Sequence, residues 1–380
     1  MSTSGRTGDG NASAASDVAA VLGESAFVRV LTRADGDCLA AAGLLAHALR
    51  EQGVPYQVRV ARFGATSEAS AESDDTIVTV GLDCAADATL ESDATPASVT
   101  AFDAANELEA SPDVTLALAG VIAGGHPPGA GESAHLLESG GFEQRPGVGI
   151  PTDDLADGLA HTTLAHADYS GDAGAVQATL AELGLPAELD ESAHRKIASE
   201  FALATIDAPQ ANARAADAVE RALRPHETPA GPFATLEGYA DVLDSVARER
   251  PGTGVALALG HEARDPALAA WRDHAQAAHA ALAEGTTGRY DGLFVLRTED
   301  APVETVARLL RDFRSPEPIA LVVGDGVAAA AASEDCGVGA TMSDAAGATE
   351  GTGGGTARRG YAEFDTDTKE FLGAFREARR

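Results

Sequence analysis

Four aspartates stand where short apolar runs end. Asp35 and Asp37 follow the run beginning at Val28, in the stretch Thr32-Arg33-Ala34-Asp35-Gly36-Asp37-Cys38; Asp83 closes Thr76–Leu82, and Asp103 closes Ser98–Phe102. If these runs are parallel strands, the aspartates lie at carboxyl ends, where open α/β sheets bind ligands. Four carboxylates in one crevice repel one another unless a divalent cation sits among them, and an all-oxygen donor set suits magnesium or manganese. Taken singly, each aspartate reads better as a turn former or helix cap, and the ligand reading gains from the repeated strand-end placement of all four. The other chemistries lack their residues. No G-x-G-x-x-G follows the first run, and Lys196 and Lys369, the only lysines, form no G-K-[ST] phosphate loop; H-E-x-x-H and G-x-S-x-G are missing too. His161, His166, His194 and His226 have no metal-ligand spacing. His161 and His166 either line the crevice or are satisfied in the core or by solvent, and His126 is the best placed as a substitute ligand. Cys38 and Cys84 each follow such an aspartate and read as small buried residues, because zinc would need two further soft or imidazole ligands.

The elements that must position these residues follow from periodicity. The β-prone run at Val28–Leu31 leads into a helix with Leu39, Leu44, Leu45, Ala48 and Leu49 on one side and Gly53 as its stop, and Tyr56 to Phe63 then alternates as a strand. Strand, helix, strand at this spacing is a βαβ unit, hence a parallel sheet, with further strands predicted at Thr76–Leu82 and Ser98–Phe102. Residues 113–224 are helical in pattern, broken at 124–151 and 184–186. The dense prolines of 225–233 predict a linker. Beyond it, helices at Thr235–Arg248, Pro266–Leu282 and Val303–Phe313 alternate with strands at Gly254–Leu259, Gly292–Leu296 and Ile319–Val323, and a closing helix spans Thr366–Arg379. Residues 345–357 read as a glycine-rich loop, and the alanine run Val327–Ser333 is compatible with either state. The domain expectation is a flexible tail over 1–24, a first α/β domain over 25–224, a linker and connecting helix over 225–250, and a second over 251–380.

Composition bounds the function. The 380 residues hold 59 acidic against 27 basic side chains, a formal net charge of −32. No apolar run reaches eighteen residues and no basic start precedes an apolar stretch, so neither a membrane span nor a signal peptide is predicted. Three cysteines make no disulfide framework, and a cytoplasmic setting is expected. Such acidity ordinarily argues against nucleic acid. Acidic, lysine-poor, alanine-rich composition is also the pattern of salt-in halophiles, whose molar salt screens repulsion to within about 3 Å; on that reading net charge says little about partners.

A family resemblance joins these fragments. Val30-Leu31-Thr32-Arg33-Ala34-Asp35-Gly36-Asp37 followed by a helix resembles the first motif, His-x-Asp-x-Asp-Gly, of the DHH phosphoesterase superfamily, which includes the RecJ-like single-strand exonucleases. Val78–Asp83 is similar to its second motif, Phe102-Asp103-Ala104-Ala105 to the Asp-His-His motif, and Leu118–His126 to the fourth, which usually carries Gly-Asp. Gly353-Gly354-Gly355-Thr356-Ala357-Arg358-Arg359-Gly360 resembles the Gly-Gly-His loop of the DHH-associated C-terminal domain. The resemblance covers roughly residues 26–380 and implies a parallel-sheet DHH-type domain plus a smaller mixed-sheet α/β domain, archaeal relatives, residual metal ligands at Asp35, Asp37, Asp83 and Asp103, and strand contacts at Gly354, Gly355, Thr356, Arg358 and Arg359.

The departures from the motifs set the functional expectation. Arg33 stands for the first-motif histidine, Ala104 and Ala105 for the two histidines, Gly125 for the fourth-motif aspartate, and Thr356 for the histidine of the glycine loop. Two-metal hydrolysis needs cations clamping the attacking and leaving oxygens, and a permanently charged guanidinium at the first position repels them. The expectation is a protein without catalysis that holds at most one divalent cation, manganese or magnesium, weakly. Its implied partners are single-stranded DNA or RNA and, as for the nuclease-dead subunit of the archaeal and eukaryotic replicative helicase complex, the helicase and its accessory complex. The alternative is an active exonuclease or small-nucleotide phosphoesterase with a rearranged metal site. Arg308, Arg311 and Arg314 form a basic stripe that fits nucleic acid, an acidic partner or a solvated helix face.

Overall fold

The computed structural model describes residues 7–63 and 75–380. They divide into two compact units, the first from residues 7–61, 75–143 and 226–271, the second from 62–63, 144–225 and 272–380.

The first unit opens with α1 (Thr7–Gly23), where a flexible tail was predicted. Ala15, Val18, Ala19 and Leu22, at helical spacing, are buried in it. The stripe is half alanine, so it lacked the large side chains by which a core helix is recognised. β1 (Val28–Arg33), α2 (Gly36–Gln52) and β2 (Tyr56–Ala61) form the βαβ unit, and β3 (Thr76–Val80) and β4 (Ala88–Leu90) complete an all-parallel sheet in the order β2-β1-β3-β4. α2 is buried along nearly its whole length, because α3 (Ala97–Glu107) and α4 (Val114–Ala123) pack on it. A short α5 (Ala134–Gly140) follows. The strand predicted at Ser98–Phe102 is thus the first half of α3. Its apolar run is short enough to read either way, and Pro96 at the N-cap with the side chain of Asp37 on its first amides settles it as a helix.

The second unit takes α6 (Leu155–His161), α7 (Ala173–Glu182), α8 (Glu191–Ile206) and α9 (Ala215–Val219). The chain then returns to the first unit. The supposed linker of 225–233 is a built loop there: the buried Glu237 carboxylate accepts from the His226 backbone amide at 3.0 Å and lies 2.8 Å from its Nδ1. α10 (Leu236–Glu249) and α11 (Pro251–Ala258) pack on α2, so residues 226–258 belong to the first unit and the predicted boundary at 251 is displaced. The strand predicted at Gly254–Leu259 is α11; Pro251, fixed at a helical φ, starts it. The unit boundary falls within α12 (Arg264–Glu284), whose Trp271, the single tryptophan, donates to Asp241 at 2.8 Å within the first unit.

The second unit ends in β5 (Thr286–Tyr290), β6 (Leu293–Arg297), α13 (Val303–Leu309), β7 (Ile319–Val323), β8 (Val327–Ala332), α14 (Val338–Gly347), β9 (Thr352–Gly355), β10 (Arg359–Glu363) and α15 (Thr368–Ala378). Its sheet, β5-β6-β7-β8-β10-β9, is mixed: β6 and β7 are parallel, the other pairs antiparallel. The alanine run is the interior strand β8. Ala329 and Ala331 enter one core with α13, and Ala328, Ala330 and Ala332 the other with α14 and α15, the period of two of a strand covered on both faces. The architecture is therefore α/β, a parallel-sheet unit and a mixed-sheet unit.

Candidate functional site

The crevice at the carboxyl end of β1 is built by the turn Arg33-Ala34-Asp35-Gly36-Asp37, all in the first unit. Asp35 is the N-cap of α2 and accepts from the Cys38 amide at 2.9 Å. Gly36 has no room for a side chain, since a Cβ would stand 2.6 Å from Ala123 Cβ and 3.0 Å from the Asp244 amide nitrogen. Glycine here lets α4 and α10 close on the start of α2. Asp37 turns toward α3 and accepts from the Ala97 amide at 2.8 Å, the Ser98 amide at 3.0 Å and Ser98 Oγ at 2.6 Å. It satisfies amides at a helix N-terminus, whose partial positive charge favours a carboxylate.

Arg33 fills the space between them. Its guanidinium pairs with Asp35 through Nε, donates from Nη1 to the Gly81 carbonyl at 2.9 Å and from Nη2 to Ser92 Oγ at 2.6 Å. Gly81, with φ of +66°, makes room for it: a Cβ there would lie 2.5 Å from Cys38 Sγ and 3.0 Å from Arg33 Nη1. A second, half-buried ion pair, Arg248–Asp244 at 2.5 Å on α10, adjoins the turn, and Asp244 accepts from the Gly36 amide at 3.1 Å. Burial opposes every charge here. Burial disfavours the Arg33 cation, but its neighbours Asp35, Cys38 and Asp37 together raise its affinity for the proton. Burial likewise raises Asp35, and Arg33, the Cys38 amide and Arg248 overturn it, leaving the carboxyl at about 2. Asp37 is pushed up to about 6 by burial and then by Asp35, its three donors compensating only in part.

The four predicted ligands do not converge. Asp35 and Asp37 share the turn, but their oxygens are taken by Arg33, Cys38 and the start of α3. Asp83 is solvent-exposed beyond β3. Asp103 lies in the middle of α3, half-buried, 3.1 Å from His135 Nε2. The reason is the misread strand: β4 ends at Leu90, so the residue carried to the crevice after it is Ser92, which sequence reasoning missed because three residues give almost no strand signal. Ala104 and Ala105 are fully buried in α3 rather than placed directly after a strand. Gly125 does follow α4, at φ +90°, and the preceding Gly124 would bring a Cβ to 3.4 Å from Asp37. Among the described residues no three His, Cys, Asp or Glu side chains gather to hold a metal ion. A magnesium or manganese ion does not fit this donor set, because it would have to displace the Arg33 guanidinium. Arg248 and Asp244 were also missed, although their i,i+4 spacing on a helix was visible.

The other predicted positions have structural tasks. Gly353, Gly354 and Gly355 belong to the edge strand β9, packed so closely on α14 that a Cβ on Gly339 would lie 2.3 Å from the Gly355 carbonyl carbon. The loop is reduced to a turn in which Thr356 Oγ1 accepts from the Arg358 and Arg359 amides, each at 3.2 Å, while exposed Arg358 pairs with Asp335 and Arg359 opens β10. The basic stripe points inward: Arg308 donates to the Thr163 carbonyl at 3.0 Å, Arg311 pairs with Asp312 at 2.6 Å, and Arg314 bonds the Leu282 carbonyl and His166. Cys38 is buried with Sγ 3.5 Å from Ser92 Oγ, and Cys84 is half-buried.

His166 is a core histidine, stacked on His279. The partners fix the tautomers. His279 Nε2 donates to the Thr162 carbonyl at 3.1 Å, so its Nδ1 accepts from His166 Nδ1 at 3.0 Å, and His166 Nε2 accepts from Arg314 at 2.9 Å. Both rings are held neutral. Burial first, then His279 and Arg314, pushes His166 well down, and burial, partly offset by the bond to Thr162, pushes His279 down to about 4. Bases depressed in the folded state withdraw stability as pH falls below the unfolded value near 6.5 and on through about 4. Acidification from pH 7 to 5 in molar salt is therefore expected to lower the melting temperature of the wild type by several degrees more than that of His279→Gln. Equal shifts in the two melting curves would refute the assignment.

Among the described residues no helix is long and apolar enough to cross a membrane. A family model described as the C-terminal domain of the uncharacterized protein rrnAC1427 matches residues 285–377. The Haloarcula marismortui protein rrnAC1427 is 51% identical over 363 residues, covering 95% of this chain and 96% of its own. The crystal structure of CDC45 from Entamoeba histolytica aligns over 97% of this chain and 99% of its own, with a TM-score of 0.58 at 10% identity, a likeness of fold alone. RecJ from Thermus thermophilus in complex with Mn2+ aligns over 97% of this chain but 54% of its own, with a TM-score of 0.46 at 14% identity, too loose to carry an argument. The fold is like that of CDC45 from Entamoeba histolytica, and the chain belongs to the family of the Haloarcula marismortui protein rrnAC1427.

Proposed function

We propose that the chain is a non-hydrolytic RecJ-like protein that keeps the DHH fold to bind partners, among them the replicative helicase and its accessory complex, rather than to cut a strand. One observation carries this reading: the Arg33 guanidinium occupies the crevice and bonds Asp35, the Gly81 carbonyl and Ser92 at once. A cation that cannot be deprotonated neutralises the carboxylates that would otherwise recruit a metal, and it generates no nucleophile from water. The glycine strand committed to α14 and the Arg358–Asp335 pair leave this loop little free positive charge for phosphates, which favours a protein partner over a single strand of DNA or RNA.

The test is a nuclease assay. Purified chain in molar KCl with manganese, given 5′-labelled single-stranded DNA or RNA and small nucleotides, is expected to release no more product than an Asp35→Asn variant. Robust turnover abolished by Asp83→Ala would overturn the proposal in favour of an active phosphoesterase with a rearranged metal site.

A further inference from the structure

α8, in the second unit, is an amphipathic helix whose outer face departs from the rest of the surface. Its inner face is Ala193, Ile197, Phe201 and Thr205, all buried and spaced by four. The outer strip, at the helical 3.6-residue repeat, carries Ser192, Arg195, Lys196, Ser199, Leu203 and Ile206. Leu203 is 55% exposed and Ile206 40%; with Leu189, just before the helix, they are the exposed large hydrophobics among the described residues. In a chain with 59 acidic side chains this strip has no carboxylate, and it holds one of the two lysines. Arg195 is paired with Glu191, one turn back, whereas Lys196 makes no ion pair among the described residues. The strip is thus cationic toward its N-terminal half and apolar toward its C-terminal half.

We infer that the outer face of α8 docks an acidic amphipathic segment of a partner protein, with apolar side chains on Leu203 and Ile206 and carboxylates on Lys196 and, in exchange for Glu191, on Arg195. Charge complementarity selects this occupant. A net charge of −32 repels an anionic partner elsewhere, and this strip is where the repulsion is relieved. A second copy of the chain fits poorly. A two-fold pairing about Ser199 with the helices antiparallel sets Arg195 against Leu203 and Lys196 against Ala202, and parallel helices set Lys196 against itself; each places a cation against an apolar side chain or its own like charge. A nucleic-acid strand fits poorly too, since two cations neutralise few phosphates and Leu203 and Ile206 offer no ring for bases to stack on. At molar salt the charges discriminate at short range while the apolar anchors supply affinity. The inference stands whether or not the crevice in the first unit hydrolyses anything.

The experiment places photoreactive benzoylphenylalanine at position 203, and as a control at exposed position 182, in the full chain inside cells that make it. Adducts are mapped by mass spectrometry. The expected result is an adduct at 203, and not at 182, with a partner segment whose apolar residues repeat at helical spacing between aspartates and glutamates. A synthetic peptide of that segment should bind the purified chain in molar KCl, about tenfold more weakly to the double variant Leu203→Ser, Ile206→Ser. Lys196→Glu should also weaken it and Lys196→Arg should not; the substituted positions are exposed, so folding survives. Adducts only with a second copy, with nucleic acid or with a neutral or basic segment, equal yields at 203 and 182, no adduct, or peptide affinity indifferent to the substitutions would each overturn the inference.

Discussion

Replacing Arg33 by methionine should destabilise the first unit by about 3–5 kcal/mol, the cost of removing one partner from a buried ion pair. Methionine is the closest apolar match to the arginine stem, so the loss is chiefly electrostatic. Asp35 would remain buried with the Cys38 amide and the field of Arg248 as the remaining support for its charge, and the Gly81 carbonyl and Ser92 would lose their donor. If Arg33 instead served a catalytic cycle, its removal would leave stability nearly unchanged. The companion Asp35→Asn keeps an oxygen for the Cys38 amide while removing the charge. The double variant should therefore recover much of the loss, with a coupling of about 2 kcal/mol in a double-mutant cycle. Urea or thermal unfolding in molar KCl reads this directly. A cost below about 1 kcal/mol for Arg33→Met would mean that the guanidinium is effectively solvated, and the picture of an arginine replacing a metal would fail.

Arg33 also shows what the amino-acid order could and could not disclose. The turn at residues 32–38 is legible because its residues are local: a strand, an N-cap, a glycine where helices close, and a helix with Gly53 at its end. The α/β class followed from the same local alternation, as did α10, α12, α13, β7 and α15, close to their observed limits. The misreadings, and the one stretch left open, involve small side chains. α1, β8 and much of α3 are rich in alanine and serine, and their burial depends on neighbours far along the chain that periodicity cannot supply. β4, three residues long, is a strand only because β3 pairs with it, and missing it moved a predicted crevice residue from Ser92 to Asp103. The two units are likewise discontinuous in sequence. A chain that leaves the first core at 143 and returns at 226 does so through tertiary contacts, not through a composition change.

Those alanine cores lead to the other large expected effect, on salt. The chain should melt at least about 10–20 °C higher in about 3 M than in about 0.2 M KCl, approaching loss of the folded state at the low end. Two carboxylates about 10 Å apart in water repel by about 0.4 kcal/mol before screening. Even about 0.2 kcal/mol for each of the 32 unbalanced charges sums to roughly 6 kcal/mol, comparable with a whole folding free energy of about 5–15 kcal/mol. Raising salt from about 0.1 to about 1 M shortens the reach of that repulsion from about 10 Å to about 3 Å, and each recovered kcal/mol is worth roughly 2–4 °C in units of this size. The interior makes the dependence steeper. Ala40, Ala41, Ala42 and Ala48 in α2, and five alanines in β8, bury less apolar surface than leucine or valine would, so less hydrophobic stabilisation stands against the charge. Arg33, Arg248, Arg308 and Arg314 do not soften it, because they are committed to carboxylates, carbonyls and a histidine within the units. Thermal melts in KCl and NaCl series, with sucrose at matched osmolality as a control, separate screening from exclusion effects. Equal melting temperatures across the salt series, or a rise that sucrose reproduces in full, would show that the acidic surface is not what limits stability.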